Sequence, residues 1–170
     1  GDAIDRAAEW IEGMQSRNGG WGAFDADNTY YYLNYIPFAD HGALLDPPTA
    51  DVSARCVGFL RQIGRGAASD QVAARGTDYL LREQESDGSW FGRWGTNYIY
   101  GTWSALVALN KAGLDKNAPA MRRAVDWLLA RQRPDGGWGE DGASYWPDQP
   151  RGAGEESTAS QTAWALLGLM

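Results

Sequence analysis

One unit occurs three times in this chain. Arg6-Ala-Ala-Glu-Trp10 runs through Gln15 to Gly19-Gly20-Trp21, Arg75-Gly-Thr-Asp-Tyr79 through Gln84 to Gly88-Ser89-Trp90, and Arg123-Ala-Val-Asp-Trp127 through Gln132 to Gly136-Gly137-Trp138. In every copy a basic residue, a small residue, an aromatic, a Gln, a Gly and a Trp keep the same spacing. Recurrence of this kind marks a fold made by setting one supersecondary unit beside the next. It also explains a composition rich in 22 Gly and 9 Trp over 170 residues, where Gly usage is ordinarily about 7 %.

Each copy ends a helix. Over 118–132, Ala120, Ala124, Trp127, Leu128 and Leu129 share one face while Arg122, Arg123, Asp126 and Arg131 take the other, the pattern of an outer, half-solvated helix. The stretches after each Gln (Asn18-Gly19-Gly20, Asp87-Gly88, Pro134-Asp135-Gly136-Gly137) stop the helix and return the chain. A second alignable segment follows each turn: Ser53 to Leu60, Thr102 to Leu109 and Thr162 to Leu169. These are apolar almost all round and rich in small residues, so inner helices over 51–64, 100–113 and 157–170, buried on both sides, are expected. The fold class is therefore all-α: a partial α/α barrel of three outer/inner hairpins, residues 1–170 forming a single domain. Three pairs are too few to close the usual ring. The chain also stops inside an apolar pattern, at Leu166-Leu167-Gly168-Leu169-Met170, so a piece of a larger barrel is expected, with unpartnered apolar faces that make it self-associate.

Charge and composition exclude several classes. A net charge of -7 gives no basic field for nucleic acid. Cys56 and His41 are too few for a structural zinc site. No apolar run is long enough to span a membrane, and the acidic, amphipathic start does not resemble a secretory signal.

The connections from outer to inner helix differ: longest from Trp21 to Ser53, shortest from Trp90 to Thr102, intermediate from Trp138 to Thr162. Insertions at one end of a stack commonly build a site. Gln15, Trp21, Gln84, Trp90, Gln132 and Trp138 recur whatever each loop does and read as structural ties between hairpins. Aromatics outside the repeat are better site candidates: Phe24, Phe38, Phe91, Trp94, Tyr98, Tyr100 and Trp103. An aromatic lining suits an apolar ligand, or a cationic intermediate held by ring quadrupoles. Asp25 and Asp27 resemble a carboxylate pair, although turn and cap chemistry beside Asn28 and Thr29 fits better. Asp51 is either an N-cap or part of a site, and Arg55, one turn on, is placed for an intrahelical ion pair. Asp40-His41 is a weak signal.

The repeat resembles the Gln-Trp motif of triterpene cyclases. The stretches Gln15 to Thr29, Ile36-Pro-Phe38-Ala-Asp-His41, Asp46-Pro-Pro-Thr49 and Asp87 to Thr102 resemble bacterial squalene–hopene cyclases, and the likeness runs end to end. The resemblance implies an interior portion of the family's C-terminal half. It implies proton transfer from an Asp-x-Asp-Asp acid to squalene, a carbocation cascade in an aromatic cavity, and hopene or hopanol as product, with no metal or organic cofactor. Asp51 matches a carboxylate bonded into the acid motif and Arg55 the cation that strengthens it. Phe24, Trp94 and Tyr100 match cavity aromatics, and Phe38 and His41 lie in a matching cavity loop. The acid motif itself is absent: Asp25-Ala26-Asp27-Asn28 fails at its last position. The resemblance therefore implies a piece inactive alone, a partner in the remainder of the cyclase chain, and peripheral attachment of the parent to the cytoplasmic face of a membrane. Competing classes are a carbohydrate-active barrel, a prenyltransferase subunit and a non-catalytic scaffold. The first needs two acids flanking a cleft, the second a zinc set that Cys56 and His41 support poorly.

Overall fold

A computed structural model describes residues 1–37 and 44–170. Six α-helices are found there: α1 (Asp2–Gly13), α2 (Ala50–Ile63), α3 (Ala67–Arg82), α4 (Tyr98–Lys111), α5 (Pro119–Leu129) and α6 (Ala159–Leu169), with short 3-10 turns at Tyr31–Tyr35 and Gly142–Tyr145. Among the described residues the only extended pairing is one antiparallel bridge, Asn28 to Asp46. Pro119 at the start of α5 presets the first helical turn. Gly64, left-handed at φ 59°, ends α2. The expected segments shift by one to three residues at their ends; the helix placed at 118–132 stops at Leu129, because the chain is already turning toward Gly136.

α2, α4 and α6 lie side by side as the inner row, α4 packing against both neighbours, while α3 packs on α2. α4 is buried nearly all round, from Tyr98 through Leu109. Gly101 is required there, since a Cβ would stand 2.3 Å from the Trp90 carbonyl oxygen. Two-sided burial fails for α6, where only Gln161 and Ala165 are buried. α6 packs on α4 and more lightly on α5, and among the described residues nothing covers its far side, leaving Leu166 and Leu167 half exposed.

The repeat residues make the same joint in each copy. The indole N–H of Trp21, Trp90 and Trp138 donates to the carbonyls of Ile11, Leu80 and Leu128 at 2.7, 2.7 and 2.8 Å. Their backbone N–H groups donate to the hydroxyls of Ser53, Thr102 and Thr162 at 2.9, 3.0 and 3.0 Å. Each Gln amide closes its own turn by donating to Gly19, Gly88 or Gly136. Gln15 and Gln84 also donate to Val72 and Ala120 in the next outer helix, at 2.9 and 2.8 Å. From the other side Arg75 reaches back to the Ser16 and Arg17 carbonyls, and Arg123 to the Gln84 side chain. One hairpin is thus tied to its successor through side-chain to backbone hydrogen bonds.

The aromatic five before each Gln shows how position in the row decides burial. Tyr79 lies against the preceding unit, its hydroxyl donating to Pro48, and Trp127 donates to Asp87. Both are buried, whereas Trp10 makes no such contact among the described residues and is 61 % exposed.

Asp87 carries a pH dependence. Burial opposes its ionisation, but the Ser89 hydroxyl and backbone N–H, the Trp127 indole and the Arg151 charge outweigh that and hold the carboxyl below its usual range. A carboxyl depressed in the folded state stabilises above its unfolded value of about 3.9 and loses that contribution as pH falls through the lower folded value. Urea midpoints of Asp87→Asn should therefore fall less steeply than those of the unsubstituted chain below about pH 4. Parallel curves would remove Asp87 from the acid sensitivity.

Candidate active site at the head of the inner helices

Asp51 occupies the first turn of α2, not the cap before it; α2 starts at Ala50 with Thr49 preceding. It is fully buried. One carboxylate oxygen accepts from the Val52 N–H at 3.0 Å and the other from the Trp94 N–H at 2.8 Å. The sequence-allowed Asp51–Arg55 ion pair does not form, since both oxygens serve backbone donors. Asp51 instead fixes the loop that carries Trp94 into α4.

Trp94 meets Phe24 edge to face, with centroids 5.6 Å apart and planes at 84°. The pair stands out from the surface, Phe24 70 % and Trp94 49 % exposed. A second buried carboxylate holds Phe24 in place. Asp46 accepts the N–H groups of Ala23, Phe24 and Asp25 at 3.0, 2.5 and 2.7 Å. Two buried acids thus aim two exposed rings at the same space.

The neighbouring acids have turn duties. Asp27, at φ 59°, accepts from the Arg17 N–H, and Asp25 accepts from the Asn28 amide. They hold a loop and do not flank a cleft. Phe38 and His41 lie outside the described residues. Burial pushes the Cys56 thiol up to about 12, which keeps it protonated at neutral pH.

One turn below Asp51, the Arg55 guanidinium lies over the Trp103 ring at 4.4 Å and within 5.9 Å of the Tyr100 centroid. Trp103 is stacked on Trp164 at 5.9 Å and 11°, and Tyr100 touches both rings. The three inner helices therefore meet in one cluster of a cation and three aromatics. Grooves open on either side of Trp103. One of about 210 Å³ runs between α2 and α4 past Arg55, Phe59, Gln62 and Lys111. Another of about 440 Å³ is lined by Leu106, Val107, Met121, Val125, Leu167 and Met170.

The start of α4 is held from a distance. Asn97 makes no side-chain cap; its amide oxygen instead accepts from Gly92. The buried Glu140, in the third hairpin, supplies the acceptors. One oxygen takes the N–H groups of Asn97 and Ile99 at 3.0 and 2.8 Å, the other those of Tyr98 and Gly152 at 3.1 and 3.0 Å. Gln161 clamps the Glu140 backbone at both its N–H and its carbonyl. Tyr145 adds support by donating to Gly92 and Gly95 in the loop around Trp94.

Asp46, Glu140 and Trp164 are site-building residues that the sequence reading does not single out. Glu140 had a readable signal: it stands two residues after Trp138, where the other copies carry Ala23 and Gly92. An acid breaking a small-residue position in a repeat is a departure that needs a cause.

The family model described as the squalene-hopene cyclase C-terminal domain matches residues 1–170. The chain belongs to this family. It is 61 % identical over 168 residues to a probable squalene–hopene cyclase of Sinorhizobium fredii, covering 99 % of this chain and 26 % of that protein. It is 64 % identical over 165 residues to a squalene–hopene cyclase of Zymomonas mobilis, covering 97 % and 25 %. A dammaradiene synthase of Dryopteris crassirhizoma is 45 % identical over 188 residues, covering 99 % and 27 %. The chain thus spans about a quarter of the curated relatives it matches.

Proposed function

We propose that the chain is the portion of a squalene–hopene cyclase that braces the initiating acid and lines one side of the cyclisation cavity. The observation that carries this reading is the buried Asp51, locked to the Trp94 backbone, with Phe24 set edge-on to Trp94 and Arg55 one turn below. Ring faces without nucleophilic lone pairs stabilise a passing cation without trapping it. In the proposed reaction a carboxylic acid protonates a terminal double bond of squalene. Each remaining double bond then attacks the cation in turn. Loss of a proton gives hopene, an isomer of squalene, while addition of water and loss of its proton give hopanol. Asp51 and Arg55 act on the acid, and Phe24, Trp94 and Tyr100 face the cation, with Phe38 and His41 assigned to the same cavity wall.

The sequence has no Asp-x-Asp-Asp, so the acid belongs to the remainder of the cyclase. Squalene and that remainder are the proposed partners. Among the described residues no helix is long and apolar enough to cross a membrane; peripheral attachment to the cytoplasmic face, where squalene dissolves in the bilayer, is part of the proposal. The test is squalene turnover with gas chromatography of the products, on the whole cyclase and on the 170-residue chain alone. Cyclised triterpene from the whole protein and none from the chain is expected. Product from the chain would move the acid role onto Asp25, Asp27 or Asp51, and no product from the whole protein would end the reading.

Taken alone, the chain should self-associate. The apolar groove between α4, α5 and α6 is open, and Leu166 and Leu167 on α6 and Met170 just after it are 49 %, 50 % and 95 % exposed. Contiguous apolar surface of this kind seldom stays in water. Size-exclusion chromatography with light scattering should give a dimer or larger species; a compact monomer would overturn the expectation.

A further inference from the structure

The Arg55 side chain has an unusual setting. It is exposed, it has no hydrogen bond or ion pair among the described residues, and the chain offers it a ring in place of a carboxylate. A free arginine on a helix surface samples many rotamers. This one lies on Trp103, which is only 9 % exposed and is itself backed by Trp164 in a near-parallel stack. A guanidinium stacked by its face keeps its N–H edge free for in-plane hydrogen bonds to an oxyanion. The charged surroundings agree. Asp51 on the same helix spends both oxygens on backbone donors. Lys111 from α4 lines the same groove as Arg55, and Tyr100 is the other ionisable group of α4 beside it. α6 has no ionisable side chain, and on the far side of α2 the Asp70 of α3 is paired with Arg61. The groove is cationic in an acidic chain.

We infer that Trp103 and Trp164 are positioning residues that hold the Arg55 guanidinium flat against α4, with its N–H edge presented to the carboxylic acid that starts the cascade. The inference rests on the cyclase reading above. Neither tryptophan touches the reacting atoms; both act through Arg55. A cation fixed beside a carboxyl favours its ionised form and makes it the stronger acid. Loosening the arginine leaves the acid weaker and protonated to higher pH.

The experiment measures kcat and KM for squalene against pH in the full-length cyclase carrying this segment, for Trp103→Leu, Trp164→Leu, Trp103→Phe and Arg55→Lys. The leucine variants should lose about fivefold in the kcat plateau, a modest loss of the size a cation–π contact supports. Their alkaline limb should move up by about half a pH unit, with KM unchanged. Trp103→Phe should recover most of the rate and the limb position. Arg55→Lys keeps the charge but not the plane, and should resemble the leucine variants. Equal loss of rate at all pH values, with the limb in place, would overturn the inference and leave the stack a packing feature. If Trp103→Leu fails to fold, Trp164→Leu, at the partly buried end of the stack, reads the same limb. Absence of triterpene from the unsubstituted enzyme would overturn the cyclase reading and this inference together, whereas normal turnover with an unmoved limb sinks the inference alone.

Discussion

Glu140→Ala should destabilise the chain by about 3–5 kcal/mol. The carboxylate is only 6 % exposed and accepts four backbone N–H groups, those of Asn97 at the N-cap of α4, of Tyr98 and Ile99 in its first turn, and of Gly152. Those donors have no partner along the helix, because the first N–H groups of any helix lack an acceptor one turn back. Alanine leaves them buried and unpaired, and it also removes the negative charge that the helix N-terminus favours. Glu140→Gln, which retains one acceptor oxygen but turns an amide toward N–H groups, should fall between alanine and the parent. The check is urea unfolding followed by far-UV circular dichroism. Loss of less than about 1 kcal/mol for alanine, the range of an ordinary surface change, would mean that water replaces the carboxylate at no cost.

A comparable loss, about 4 kcal/mol, is expected for Trp90→Ala. Trp90 is fully buried, and it sits at the joint between α3 and α4. Its removal opens a large cavity, and it strands the Leu80 carbonyl that the indole N–H satisfies. The contrast is Trp146→Ala. Trp146 is 70 % exposed and should change stability by less than about 0.5 kcal/mol. Equal effects of the two substitutions in parallel urea titrations would show that the joint contributes nothing beyond the hydrophobic content of a tryptophan.

The helical hairpins were legible because the repeat writes local rules: an amphipathic face, then Gln, a glycine turn and Trp. Phe24 and Trp94 stood out as aromatics outside the repeat, Asp51 as an acid at the start of an inner helix, and Arg55 by its place one turn on and by the family resemblance. What escaped was long-range polar pairing. Glu140 meets α4 across more than forty residues, and Asp46 meets Phe24 across 22; no periodicity encodes either contact. The Asp51–Arg55 pair was a fair local expectation, overridden when a loop N–H and an indole face from distant segments claimed the two side chains. Helix composition likewise could not reveal that α6, as apolar as α4, has one side uncovered, because burial depends on which neighbours are present.

The joint is indifferent to the length of the loop it closes. Trp21, Trp90 and Trp138 each find their Ser or Thr hydroxyl whether it lies 32, 12 or 24 positions further along the chain. The stack therefore registers the two pinned ends whatever the length between them, while single contacts made from within a loop, such as Glu140 on the start of α4, still have to be kept. A scaffold with that property lets its chemistry diverge at the rim while its folding instructions stay fixed. Loop exchange between copies, with each Trp and its hydroxyl retained, is the natural route to reshaping what this surface holds.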